Sequence, residues 1–253
     1  HNGHSLRIVD ELEKRYPSFT GLNLTWEVRE GIAKHSSEHD RPGPHLAFDK
    51  DRSACLEAQI VDIADEIAYN NHDIDDGLSS EMITVDALKT VELWQTNFED
   101  AKSKCPDADH KVLKYQTIIR IINAQVTDLV DTILKSIDEA GIKDAKGIRE
   151  RKKPIASFSP EMEKRNRQLK RFLHENLYKH HRVIRMADKA ERIIKELFKA
   201  YLRAPKLLPP HVSSLIDKPG REKHRVICDY IAGMTDRFAL DEYKKLFDPY
   251  EKV

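Results

Sequence analysis

Nearly every long segment of this 253-residue chain repeats its apolar residues at helical spacing, and no run alternates apolar with polar as a half-buried strand does. No other feature constrains the fold as strongly. The core has to be built from helix against helix, so the expected class is all-α. The spacing predicts helices over about residues 3–15, 25–36, 53–76, 81–99, 108–139, 160–203 and 221–248. Pro17 closes the first, and Thr25 is set to cap the second, with Glu27 in its first turn. Ser53 is expected to cap the third and Gly77 to end it. Ser159-Pro160-Glu161 has the form of an N-cap, an N1 proline and an acidic first turn, and the long segment it opens is compatible with two helices meeting near His180-His181. Residues 37–52, broken by Pro42, Gly43 and Pro44, and the Pro-rich stretch 207–220 are expected to be loops. No internal repeat is present.

Composition removes several function classes. Lys+Arg and Asp+Glu number 43 each, so overall charge argues neither for nor against a nucleic-acid partner, and only local patches can. The basic stretch Lys143–Lys153 reads as a solvated loop or as a phosphate or nucleic-acid contact. Cys55, Cys105 and Cys228 are far apart and form no CxxC pair, which suits a reducing compartment better than a disulfide scaffold or zinc knuckle. No apolar run approaches the roughly 18–20 residues of a membrane span, and no signal peptide is visible. The first residue is His, so the chain need not start where a domain starts.

The third helix carries the chemistry. Its core face reads as Leu56, Ile60, Val61, Ala64, Ile67 and Ala68. Beside it, Asp65, Tyr69 and Asp73 recur every four residues and form one stripe. Two carboxylates on one stripe repel each other and resist burial unless a cation is near. The stripe is therefore either a solvated acidic face or a site for an ion or a cationic side chain.

Residues 61–76, VDIADEIAYNNHDIDD, resemble the helix that carries the fourth metal ligand in deoxyguanosine-triphosphate triphosphohydrolase-like proteins of the HD phosphohydrolase superfamily. The shared pattern is Ala-Asp-x-Ile-x-Tyr with a further Asp four residues on. His1-Asn2 followed by Ser5-Leu6-Arg7-Ile8, GLNLTWEVREGIAKHS at 21–36, LYKHHRVIRM at 177–186 and DYIAGMTDRFA at 229–239 resemble further motifs of that family, in family order. The resemblance implies an HD-domain-like helical fold. Residues 1–80 would belong to the C-terminal part of the metal-site region, and 81–253 would complete the nucleotide pocket and the oligomer contacts.

It also implies roles. Asp65 would bind a divalent metal, Mg2+ or Mn2+. Tyr69 and Asp73 would lie against the deoxyribose, with Asp73 on its 3′ hydroxyl. His1 would contact a phosphate or donate a proton. Lys34, with His35, would reach a phosphate or else serve as a helix-end cation. Tyr178 and Arg182 would line the pocket and touch the triphosphate, or pack between helices. Tyr230 and Asp236 would touch the nucleotide, or sit in the core and pair with Arg237, respectively.

The departures matter as much. An HD site uses His…His-Asp…Asp, and the first three of these ligands are expected upstream of residue 1, so the chain is expected to lack the N-terminal helices of the fold. Neither His39-Asp40, in a loop, nor His72-Asp73, two turns after Asp65, stands where the family has its pair. His4 replaces the usual Gln, and Glu66 stands where some relatives carry a phosphate-binding Lys.

By resemblance, the expected reaction is metal-dependent hydrolysis of dGTP or another dNTP at the α-phosphate, giving deoxynucleoside and tripolyphosphate. The expected setting is a cytoplasmic homo-oligomer, often a hexamer, without membrane contact, and activated by nucleotide or single-stranded DNA. The alternatives are an HD phosphohydrolase acting on another nucleotide and a non-catalytic nucleotide-binding module.

Overall fold

A computed structural model describes residues 2–35, 48–49 and 51–252. Every regular element among them is a helix, and one isolated bridge joins Lys14 to Gly21. The all-α expectation holds. The chain packs as two compact units, His1–Leu177 and Tyr178–Val253. That boundary concerns packing and is distinct from the division by role at residue 80.

In the first unit, α1 (Asn2–Arg7) runs into a wider π-type turn over Ile8–Leu12 and stops there, short of the expected residue 15. The reason is local. Gly21 and Leu22 return to the turn, donating to the carbonyls of Glu13 and Val9 at 3.0 and 2.7 Å. Gly21 has φ +70°, and a Cβ there would meet the Asp10 carbonyl oxygen at 2.4 Å, so only glycine lets the chain double back this closely. Helix α2 (Trp26–Lys34) begins as expected, with the Thr25 side chain accepting from Val28 N–H.

Helix α3 (Leu56–Ser79) starts later than expected. Ser53 does not cap it, because its hydroxyl donates to the Arg151 carbonyl at 2.7 Å. Gly77 does not end it. A Cβ at position 77 would stand 2.8 Å from Ile83 Cδ1, so this glycine admits a neighbouring side chain inside the helix. The expected helix over 81–99 is two helices, α4 (Val85–Leu88), which Thr84 caps at its start, and α5 (Glu92–Lys104), separated over residues 89–91. Helix α6 (His110–Glu139) follows. The basic stretch holds a short helix, α7 (Ala145–Arg149), capped by Asp144, and is not wholly loop. Helix α8 (Pro160–Leu173) opens on Ser159 as expected.

The core of this unit lies where α3, α5, α6 and α8 meet, with Trp94, Ile74, Ile121, Leu169 and Leu173 wholly enclosed. Buried amides cross it. Asn71 donates to Gln125 at 2.8 Å, and Gln125 donates to Asn166 at 2.7 Å, which links α3, α6 and α8. A buried polar group costs stability unless it is paired, so this chain fixes the register of three helices.

A π-type turn over His174–Tyr178 follows α8. In the second unit, α9 (His181–Arg203) begins at His180, whose ring accepts from Arg182 N–H, so the long segment does divide there. A 3-10 turn over Pro205–Leu207 leads to α10 (Pro210–Ile216), where a loop was expected. Pro210 sits at the first helical position, where its missing N–H costs nothing, so a Pro-rich stretch still forms a helix. The final segment is two helices, α11 (Lys223–Ala232) and α12 (Asp236–Phe247), divided at Gly233 with Thr235 capping the second. Ile193, Leu197, Tyr201, Val212, Val226 and Ile227 form this unit's core.

Candidate functional site

The rotation of α3 sets the site. The expected core face is only partly correct. Ile67 is buried, but Val61 is 59% exposed and Ala64 and Ala68 are exposed. The enclosed positions are Gln59, Ile67, Asn70, Asn71, Ile74 and Gly77. Polar anchors turn the helix this way. Gln59 Oε1 accepts from the N–H groups of Ile155 and Ala156 at 2.7 and 3.2 Å, and Asn71 joins the amide chain.

Asp65 is therefore exposed between two alanines, and Tyr69, one turn on, is 54% exposed. Asp73 is half-buried and engaged within the protein. Asp65 and Tyr69 are thus presented outward, and Asp73 only in part. Glu66, beside Asp65, pairs with Lys170 of α8 at 3.3 Å, which brings an ammonium to this side of α3.

The α3 wall that leads to Asp65 borders a cleft of about 860 Å³ between α1, α2, α3 and α7. Trp26, Val28, Ile32, Ala58 and Val61 give it a largely apolar lining. Val61 and Asp62 line the cleft, and Asp65 stands on the next turn of the same side. The size is in the range of small-molecule sites, roughly 300–1,000 Å³.

Two polar groups border the cleft. His35 Nδ1 lies 2.5 Å from Asp62 Oδ1, with both residues about a quarter exposed. The carboxylate orients the ring through Nδ1 and leaves Nε2 as the ring nitrogen for an outside partner. The second group is Arg149, whose guanidinium lies over the Trp26 ring at 4.7 Å and 2.8 Å from Glu30 Oε2. Glu30 is wholly buried, and its other oxygen accepts from Lys34 Nζ at 2.8 Å. Lys34 also donates to the Arg52 carbonyl at 2.8 Å. Its ammonium is thus held within the protein, beside the cleft's polar rim.

His1 lies outside the described residues, as does His39-Asp40. Its neighbour Asn2 is buried and donates to the carbonyls of Ala33 and His35 at 3.2 and 2.6 Å, which pins the start of α1 to the end of α2.

The remaining expected residues belong to the second unit or its edge. Tyr178 closes the π-type turn, and Arg182 is exposed in the first turn of α9. Tyr230 is half-buried, with its ring edge-on to Tyr201 at 5.7 Å. Burial and then the charge of Glu242 push its phenol up. Asp236 is exposed at the start of α12. Desolvation and then the charges of His181 and Arg182 pull His180 down.

Among the described residues, no three His, Cys, Asp or Glu side chains converge to hold a metal. Asp65 offers one exposed carboxylate, and a single carboxylate does not hold a divalent ion against water. The described residues thus do not fit a metal by themselves.

Glu30 and Trp26 carry no local signal of a site role, whereas Asp62 is one of the acids beside the core face of α3 and Arg149 lies in the basic stretch read as a solvated loop or a phosphate contact. The Glu30–Arg149 contact joins residues 119 positions apart and left no trace in local pattern.

The profile of the Phosphohydrolase-associated domain matches residues 156–245. The chain is 51% identical, over 254 aligned positions, to a deoxyguanosinetriphosphate triphosphohydrolase-like protein of Geobacter sulfurreducens, an alignment covering 100% of this chain and 66% of that protein. It is 52% identical, over the same shares, to the protein of that name from Geobacter metallireducens. It is 44% identical to the one from Bordetella pertussis, over 98% of this chain and 64% of the relative. The chain thus spans just under two thirds of the length of the curated relatives it matches. With identity of this order along its whole length, an all-α fold and the phosphohydrolase-associated segment, the chain belongs to the deoxyguanosinetriphosphate triphosphohydrolase-like family of the HD superfamily.

Proposed function

We propose that this chain recognises the deoxynucleoside of a deoxynucleoside triphosphate, dGTP being the favoured one, in an enzyme that releases deoxynucleoside and tripolyphosphate. The observation that carries the reading is the outward stripe Asp65–Tyr69–Asp73, which continues the α3 wall of the cleft. The names of the relatives support the substrate class.

The residues divide the work by chemistry. The half-exposed Tyr69 ring gives a flat apolar face for a sugar that lacks a 2′ hydroxyl. Asp73, one turn on, accepts from the 3′ hydroxyl, and a site built around that bond rejects a sugar without it. His35, oriented by Asp62, is our candidate for the polyphosphate contact, because Lys34 is held by Glu30. Asp65 is proposed as one ligand of a divalent metal, Mg2+ or Mn2+. We place the enzyme in the cytoplasm. No described helix is long and apolar enough to cross a membrane.

The test is dGTP hydrolysis with Mn2+, with products separated by chromatography, using this chain, a chain extended to the length of the relatives, and the Asp65→Ala variant of the extended chain. Tripolyphosphate from the extended chain, lost in the variant, is the expected result. Release of orthophosphate or pyrophosphate instead would assign another phosphohydrolase reaction. Nucleotide binding without turnover would assign a non-catalytic module.

A further inference from the structure

Helix α9 begins with a stretch that nothing encloses. Its first buried side chain is Ile193. Across His181–Arg192 before it, Val183 is partly buried and every other residue is exposed. At 3.6 residues per turn this stretch is about three turns long. Ile184 and Met186 within it are 54% and 63% exposed, so apolar packing does not hold it down. A helix of that length is marginal in water without tertiary contacts, because its first turn is costly to form. What happens at the first turn therefore decides how well the stretch is ordered.

That turn is poorly provided for. It holds no acid, and Arg182 stands at the positive end of the helix dipole with Arg185 close behind. The compensation is His180. Its Nδ1 accepts from the Arg182 N–H at 3.3 Å, which is the bond of an N-cap. Only a neutral imidazole with its proton on Nε2 can accept there. A proton on Nδ1 removes the acceptor. It also adds a cation beside Arg182 and against the His181 ring, whose centroid lies 4.4 Å away. His181 and Arg182 are the charged groups whose fields reach the ring, and no carboxylate is among them. Desolvation first, and then those two charges, hold its ionisation below the ordinary 6.5. The folded helix thus favours the neutral ring. The contribution of the cap is whole above pH 6.5 and is lost as pH falls from there through the lowered folded value.

We infer that His180 is an acid-released latch on the start of α9: its neutral ring ties down the first turn, and protonation at Nδ1 lets the exposed turns fray. Arg182, Arg185, Lys189 and Arg192 recur along those turns at helical spacing, which sets them on one side of the helix. The latch therefore governs whether this row of cations is held in line or scattered. The inference rests on the cap and the exposure of the turns behind it, and is independent of the nucleotide reading.

The experiment is amide hydrogen exchange of the full chain, read by mass spectrometry at about pH 7.5 and about pH 5.5, on either side of the imidazole range. Correction for intrinsic exchange rates gives protection factors, and residues 193–203 of the same helix serve as the internal reference. In the parent, protection over 181–192 falls about fivefold at the lower pH, the worth of a typical N-cap, while the reference is unchanged. His180→Asn caps without titrating, so it keeps its protection at both pH values. His180→Ala is poorly protected at both. A fall as large in the Asn variant as in the parent overturns the inference, because the proton then acts elsewhere. So does a parent indifferent to pH, or an Ala variant as protected as the parent at about pH 7.5. Should the Ala variant fail to fold, the comparison of parent with Asn variant decides alone.

Discussion

Replacing Arg149 with Met probes the cleft wall most directly. Arg149 and Lys34 are the two cations on Glu30, a carboxylate with 0% exposure. Orphaning a buried charge costs about 3–5 kcal/mol. Lys34 stays at 2.8 Å and keeps part of the compensation, so the ion-pair loss should be about 2 kcal/mol. Losing the guanidinium from the Trp26 face adds about 0.5–1 kcal/mol. The expected destabilisation is about 2–3 kcal/mol, which lowers the melting temperature by roughly 5–10 °C for a unit of this size. Urea unfolding followed by tryptophan fluorescence reads it, because Trp26 is the ring under Arg149 and Trp94 reports the core of the same unit. The double variant Glu30→Met/Arg149→Met removes both the charge and its partner. It should be more stable than the sum of the single losses predicts by at least about 1 kcal/mol. Single variants that add, or an Arg149→Met loss below about 0.5 kcal/mol, would refute the assignment of Arg149 to a buried ion pair.

Three further outcomes are expected. In the extended chain, and on the proposed reaction, Asp73→Ala should lower kcat/KM for dGTP about 10- to 100-fold, the cost of a hydrogen bond to a charged group, while leaving 2′,3′-dideoxy-GTP unaffected; equal losses on the two substrates would remove Asp73 from the 3′ hydroxyl. Burial, then the charge of Glu242, raises the Tyr201 phenol above its ordinary 10.0, so the folded state favours the neutral form. That contribution is complete below pH 10.0 and is lost as pH climbs toward the raised folded value, so Tyr201→Phe should flatten the alkaline limb of second-unit stability measured by circular dichroism. Gly77→Ala, which would ordinarily stabilise a helix interior, should instead destabilise by about 1 kcal/mol in a thermal melt, since Ile83 has to give way, and an unchanged or higher melting temperature would show that it moves freely.

Much of this fold could be read from the sequence, because helical periodicity and caps are local. Thr25, Ser159 and His180 mark boundaries that the structure keeps. The errors occur where a local signal meets a tertiary demand. Ser53 has the chemistry of a cap but spends its hydroxyl on Arg151, 98 residues away. The prolines of 207–220 punctuate, yet Pro210 occupies the one helical position that suits it. In the site, the stripe Asp65–Tyr69–Asp73 follows from spacing alone. The cleft beside it depends on α1, α2 and α7, which meet only in three dimensions.

The direction in which α3 faces shows why spacing was not enough. Hydrophobicity alone would turn Val61, Ala64 and Ala68 inward and carry Asp65, between the two alanines, toward the core. Shifting the buried face by one residue rotates it by about 100°, so a small error of phase decides whether the carboxylate is presented or enclosed. The structure settles the phase with polar groups instead: Gln59 on the backbone of Ile155 and Ala156, and Asn71 on Gln125. Each is worth little as a net bond but costs about 1–3 kcal/mol if left unpaired, so together they hold α3 against the rotation its apolar residues favour. Substituting Gln125 with Leu removes the partner of Asn71 and should loosen that hold. If the polar anchors rather than the apolar face set the phase, hydrogen exchange will rise around Asn71, and the proposed dGTP binding will weaken although no residue proposed to touch the nucleotide has changed. Loss of stability with binding intact would mean that the apolar contacts of Ile67 and Ile74 suffice to aim Asp65 outward.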